Sequence, residues 1–321
     1  MNISVLGCGR WGSFISWYLA TQQHAVIEWG RPGSRALAEL QKTRQNEYVR
    51  MPDTVCLTDD LQAAVDHADV MIISIKSQGL RQLATQIAAL GAKEKPIVLC
   101  MKGLEEESGL RLSEIMLACG YDRDSLAVWV GPGHIQEFTA GHPNCMLIDG
   151  YNRELVCRLV DSFKSRLIRF YYGDDVIGSE IGAAAKNVMG IVAGVLDGSG
   201  MSSLKGPLMA RGAREVSRLI AAMGGNELSA YGLCHLGDYE TTLFSPYSNN
   251  RRYGEALAKG ERFDKLAEGV YTARAMKLLG ERYGVDLPIT NAAYRVLYEG
   301  ADPFRELSGL FERRTVQEFW R

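Results

Sequence analysis

The chain has 321 residues, 46% hydrophobic and 23% charged, with a formal net charge of −2. That length supports two domains of ordinary size, and the near-neutral balance excludes the basic footprint of a nucleic-acid or acidic-membrane binder. Seven scattered cysteines without a CxxC pair, and no basic leader before the first strand, point to free thiols in a reducing, cytoplasmic setting.

Residues 3–6 read as a short buried strand, followed at once by Gly7-Cys8-Gly9-Arg10-Trp11-Gly12 and a helix over 13–21. This is GxGxxG between strand and helix. The first glycine permits the turn, the second admits a pyrophosphate and the third lets helix and strand pack. Further strands are expected at 25–29, 55–57, 70–75, 97–100, 126–130, 145–148 and 168–172. Helices are expected around 35–42, 61–65, 79–89, 110–119 and 153–165. The alternation argues for a Rossmann-type, doubly wound parallel sheet. Ligands on such sheets lie at the carboxyl ends of the strands, which places 74–77 and 101–103 beside a dinucleotide.

An acidic residue holding an adenosine ribose should end the second strand. Glu28 precedes that point and, by strand alternation, faces away from it. Gly30-Arg31 offers a cation for a 2′-phosphate instead. NAD and NADP both fit, with a slight preference for NADP.

The strand pattern stops at 173–174, which divides the chain into a dinucleotide-binding domain, 1–174, and an all-helical substrate domain, 175–321. Helices are expected at 176–196, 205–223, 227–234, 255–259, 270–283, 289–299 and 312–320. The stretch Ser179–Gly200, SEIGAAAKNVMGIVAGVLDGSG, holds one lysine in a small, apolar helix. A buried ammonium is costly without partners or a task, so Lys186 is the candidate catalytic group. Lys186 and Asp197 are eleven residues apart and project from one side, about 16 Å apart along the axis. The apolar run 181–196 is broken by Lys186-Asn187 and is too short to span a membrane. Two polar loops follow, Gly232–Asp238 and Ser248–Gly254. The five histidines show no metal-ligand spacing, so no metal is expected.

Together these segments resemble the NAD(P)-dependent glycerol-3-phosphate dehydrogenases. The matching pieces are GxGxWG at 7–12, MKGLE at 101–105, the Gly131-Pro132 turn, AAAKNVMGIVAGVLDGSG at 183–200, GLCHLGD at 232–238, NNRRYG at 249–254, EGVYTA at 268–273 and GVDLPITNAAYRVLYEG at 284–300. They run in the family's order across nearly the whole chain. The resemblance implies that Lys186 transfers the proton and that Lys102 lies near both nicotinamide and substrate. Asn187 and Asp238 complete the implied catalytic group. Gly131, Ser248, Asn250 and Arg251 join Lys102, Lys186 and Asp238 as implied substrate contacts. Gly7, Gly9, Arg10, Trp11, Gly12, Arg31, Lys102, Ile135, Arg251 and Glu268 are the implied cofactor contacts.

Two departures stand out. Gly133 replaces the family's Ser or Thr, removing a hydroxyl, and Asn249 replaces the arginine of Ser-Arg-Asn-Arg. Arg251 or Arg252 is the expected substitute for that charge. Lys76 stands where the family tends to have proline. The implied reaction interconverts dihydroxyacetone phosphate and sn-glycerol 3-phosphate by hydride transfer. The alternatives are a related dehydrogenase with another small hydroxy or keto substrate, and a non-catalytic NAD(P) sensor. A small-molecule partner is expected, without nucleic acid or membrane, and a homodimer is compatible with the reading.

Overall fold

The computed structural model describes residues 1–315, 317 and 318. Its first half alternates strands and helices: β1 (Asn2–Leu6), α1 (Arg10–Thr21), β2 (Ala25–Trp29), α2 (Arg35–Thr43), β3 (Cys56–Thr58), α3 (Leu61–His67), β4 (Val70–Ile73), α4 (Leu80–Ala89), β5 (Ile97–Leu99), α5 (Leu112–Ala118), β6 (Leu126–Val130), α6 (Ile135–Thr139), β7 (Asn144–Gly150), α7 (Arg153–Phe163) and β8 (Ile168–Tyr172). The strands form one sheet in the order β3-β2-β1-β4-β5-β6-β7-β8. β4 and β6 are buried at every position, so both read as unbroken apolar runs covered on both faces. Phe14, Tyr18, Trp129 and Phe163 fill one face, and Leu6, Ile73, Leu83 and Met116 the other.

One pairing departs from the expected parallel sheet: β7 runs antiparallel to β6. Their connection contains only the five-residue α6, absent from the sequence reading. A helix of that length rises about 7.5 Å, too little to carry the chain back for a parallel return.

The second half is helical among the described residues: α8 (Val176–Gly198), α9 (Lys205–Ala222), α10 (Asn249–Ala258), α11 (Glu268–Tyr283), α12 (Pro288–Tyr298) and α13 (Pro303–Gly309). By length and mean hydropathy α8 could cross a membrane, but 94% of its apolar window is buried, as in a core helix of a folded protein. Its glycines admit α10 to backbone contact. A Cβ at Gly194 would stand 1.9 Å from Arg251 O, and one at Gly254 2.0 Å from Ile191 O.

Several expectations change here. The segment 249–254 is the start of α10 rather than a loop, with Ser248 Oγ accepting from the Arg251 amide as its cap. The helix expected at 227–234 is a short 3₁₀ turn, Glu227–Tyr231. The one expected at 312–320 does not form over 313–315, and Val316 and residues 319–320 lie outside the described residues. α13 was not anticipated.

Candidate active site

Lys186 sits midway along α8, where its own helix cannot solvate it. The side chain is 9% exposed and its ammonium meets Asp238 Oδ2 at 2.6 Å. It also donates to Thr242 Oγ1 at 2.9 Å. Lys102, beyond the carboxyl end of β5, reaches the same carboxylate oxygen at 2.7 Å and the Gly131 carbonyl at 2.6 Å. Thr241 Oγ1 donates to Asp238 Oδ1. One buried carboxylate therefore serves two ammonium groups, one from each half of the chain.

The electrostatics follow from this arrangement. Burial pushes the Lys186 amine down, and the Lys102 charge adds to the effect against the pull of Asp238, leaving it at about 7. Burial alone would raise Asp238, but Lys102 and Lys186 together hold it below its ordinary value.

Asn187 Nδ2 donates to the Lys102 carbonyl at 2.6 Å, and Asn250 Nδ2 donates to Asn187 Oδ1 at 2.9 Å. Asn250 Oδ1 in turn accepts from the Gly269 amide at 3.0 Å. This chain ties α8, α10 and α11 to the strand end carrying Lys102. The turn bearing Asp238 is fixed by His235. Its Nδ1 donates to the Gly182 carbonyl at 2.8 Å, so its Nε2 accepts from Tyr239 O–H at 2.6 Å. Burial pushes this imidazole down to about 4, keeping it neutral. Gly182 lies one turn before Lys186, so the latch sets the carboxylate against the amine.

Thr241, Thr242, His235 and Tyr239 were not singled out from the sequence. All four flank Asp238, and only the fold turns that segment onto α8. The π-helical turn Glu240–Phe244, which carries both threonines, is a form frequent at functional sites.

The glycine turn fits a dinucleotide. Gly7 and Gly12 are closed, with a Cβ at Gly12 falling 1.7 Å from Gly7 O, whereas Gly9 has nothing within 4 Å. No side chain caps the first turn of α1. Trp11 lies with its ring 5.8 Å from Lys102 Nζ, and Ile135 is buried at the start of α6. Glu268, at the start of α11, accepts from the Ser77 amide at 3.3 Å through Oε1. Among the described residues its Oε2 is buried and finds no hydrogen-bond partner. Arg10 stacks on Tyr48 at 5.0 Å, and Arg31 is exposed beyond β2. Glu28 is turned beneath α1, where Ser13 Oγ donates to it at 2.8 Å.

Against known proteins, residues 2–156 match the model of the NAD-dependent glycerol-3-phosphate dehydrogenase N-terminus, and 175–308 that of its C-terminus. The chain belongs to the NAD-dependent glycerol-3-phosphate dehydrogenase family. It is 36% identical over 313 residues to the glycerol-3-phosphate dehydrogenase (NAD(P)+) of Prosthecochloris aestuarii, covering 93% of this chain and 94% of that one. To the enzyme of that name from Chlorobium limicola it is 34% identical over the full length of both. The crystal structure of glycerol-3-phosphate dehydrogenase from Coxiella burnetii superposes with a TM-score of 0.90 at 28% identity, covering 97% and 98% of the two chains.

Within this dehydrogenase chain, positions 133 and 249 are each held by local packing or pairing. Arg251 does not take up the charge absent at Asn249. Its guanidinium pairs with Asp197 at 2.6 Å and Glu255 at 3.4 Å, near the far end of α8 from Lys186. Asp197 also holds Lys205 at 2.6 Å, so the aspartate at the end of α8 serves a structural cluster. Asn249 donates to the Leu266 carbonyl at 3.2 Å. At Gly133, with φ +150°, a Cβ would stand 2.3 Å from the Phe138 ring. That ring occupies the space a serine or threonine side chain would need.

Proposed function

We propose that this chain interconverts dihydroxyacetone phosphate and sn-glycerol 3-phosphate with a nicotinamide dinucleotide, and that Lys186 Nζ gives the proton in reduction and takes it in oxidation. The observation that carries the reading is the Lys102–Asp238–Lys186 arrangement at the carboxyl ends of the strands. A free lysine is too weak an acid to exchange protons near neutrality, but this one is brought to about 7 by burial and its neighbour's charge.

The bound nicotinamide supplies or accepts the hydride. This chain's residues do the rest. Reduction of the carbonyl builds negative charge on oxygen. Lys186 neutralises that oxygen by transferring one N–H proton, becoming an amine, and is reprotonated before the next turnover. Asp238 holds the ammonium in place, and Lys102 contributes a fixed positive charge toward the developing alkoxide. Asn187 and Asn250 align the two halves so that donor and acceptor meet at bonding distance. Gly7, Gly9 and Gly12 cradle the diphosphate, with Trp11, Ile135 and Glu268 along the dinucleotide.

The division into a dinucleotide domain, 1–174, and a helical domain, 175–321, belongs to the same reading. So do cytoplasmic residence, the lack of nucleic-acid or membrane partners, and a homodimeric state. The preference for NADP rests on exposed Arg31 and inward-facing Glu28. An Arg31→Ala variant should weaken NADPH binding while leaving NADH binding unchanged.

One observation favours a second reading. With Arg251 held by Asp197, an unphosphorylated hydroxy or keto substrate needs no charge that the site lacks. Steady-state reduction of dihydroxyacetone phosphate and of unphosphorylated ketones, with NADH and NADPH separately, decides between them. Turnover of only the unphosphorylated ketones would overturn the first reading.

A further inference from the structure

The hydroxyl absent at position 133 has a neighbour able to replace it. His134 follows β6 and opens α6, and its main-chain carbonyl accepts from the Glu137 and Phe138 amides, which fixes its backbone. Its ring packs edge-on against Tyr247 at 5.5 Å between centroids. Its Nε2 is buried and has no hydrogen-bond partner among the described residues. Such an atom in a folded interior loses its water contacts without replacement, which is costly unless a ligand completes it. The turn that carries His134 begins at Gly131, whose carbonyl accepts from Lys102 Nζ at 2.6 Å, so the imidazole borders the catalytic cluster. Lys102 and Lys186 share the single carboxylate of Asp238 there, which favours an anionic oxygen beside them.

Phe138 shuts a side chain out of position 133. Its ring stacks on Phe14 at 5.1 Å and stands edge-on to Trp11 at 6.3 Å, closing the volume beside Gly133. A side chain at 133 is shut out there, and the next residue presents a nitrogen instead.

We propose that His134 is a substrate-binding residue whose Nε2–H donates to a phosphate oxygen of the three-carbon substrate. This rests on the reaction proposed above and names its phosphate contact. Burial, with the cationic neighbours adding to it, lowers the pKa of the free imidazole. A bound phosphate dianion offsets those charges and strengthens the hydrogen bond.

The test compares wild type, His134→Phe and His134→Gln by calorimetric binding of sn-glycerol 3-phosphate to the cofactor-loaded enzyme and by steady-state kinetics. A hydrogen bond to a charged group is worth about a 10- to 100-fold change in affinity. His134→Phe, which keeps the ring against Tyr247, should weaken binding and raise KM for dihydroxyacetone phosphate by that factor. Its kcat and its KM for unphosphorylated ketones should stay within about twofold, and His134→Gln should recover part of the loss. Wild-type affinity in His134→Phe, or equal losses with phosphorylated and unphosphorylated ketones, overturns the proposal. If wild type binds glycerol 3-phosphate without turnover and His134→Phe weakens that binding, the reaction falls while the contact stands. If wild type does not bind it, both fall.

Discussion

Lys102 and Lys186 place their ammonium nitrogens 2.7 and 2.6 Å from the same oxygen, Asp238 Oδ2. One lysine follows a strand of the sheet and the other rises from the core helix, so the contact exists only when both halves are folded together. A shared oxygen leaves each ammonium half-neutralised. Burial, with the Lys102 charge beside it, is what lets Lys186 lose its proton near neutrality despite that carboxylate.

Replacing Lys186 with Ala should lower kcat by about 10²- to 10⁴-fold, the range for loss of a general acid. Titration of NAD(P)H fluorescence should show cofactor affinity retained. Turnover near wild type in this variant removes the amine from the chemistry.

The pH dependence of wild type should invert with direction. Lys186 titrates at about 7 and must be protonated to act as an acid. Reduction should therefore fall as pH rises through about 7, and oxidation should rise over the same interval. For stability the sign is separate. The folded amine lies below its unfolded value, so between about 7 and 10.5 the unfolded chain holds more protons and stability rises with pH. Parallel profiles in both directions would count against Lys186 as the titrating group.

Asp238→Asn leaves two buried or half-buried ammonium groups without their counter-charge. Breaking a buried pair costs about 3–5 kcal/mol, to be read in urea unfolding. Turnover should fall as well, since the amine loses the carboxylate that raises its pKa.

Glu28 offers a test of stability away from the reaction. Burial raises its carboxyl to about 7, with the Ser13 hydroxyl only partly offsetting the cost. Between about 4.5 and 7 the folded state holds more protons than the unfolded one, so this group's contribution to stability declines as pH rises. Glu28→Gln should be more stable than wild type at pH 8 by up to about 3 kcal/mol, the linkage value for this shift. The difference should vanish below about pH 4.5, which chemical denaturation at the two pH values measures.

Gly133→Ser supplies the hydroxyl that the family resemblance implies and should nonetheless destabilise. The new Cβ meets the Phe138 ring at 2.3 Å and forces a side chain to φ +150°. Overpacking of this kind costs about 1–3 kcal/mol, visible as a lowered Tm. Coupling with Phe138→Ala should relieve part of it.

Much of the sheet was legible because its strands are short apolar runs set between amphipathic helices. β2, β6 and β8 have the bounds their patterns predict. The antiparallel turn of β7 was not legible, since strand periodicity carries no direction. The start of α10 reads as a loop because Asn-Asn-Arg-Arg is polar on every face. It is helical because Ser248 caps it and glycines seat it on α8.

The sequence by itself determined the strands and most of the helices, the glycine turn and the presence of a lysine too deep in a helix to be idle, because these are local properties of spacing and hydropathy. Tertiary structure decided what that lysine meets. It joined Asp238, Thr242 and Lys102 around one amine, and turned Arg251 away to Asp197. Those pairings span 52 to 136 positions along the chain, and no local pattern encodes which distant charge a buried ammonium will find.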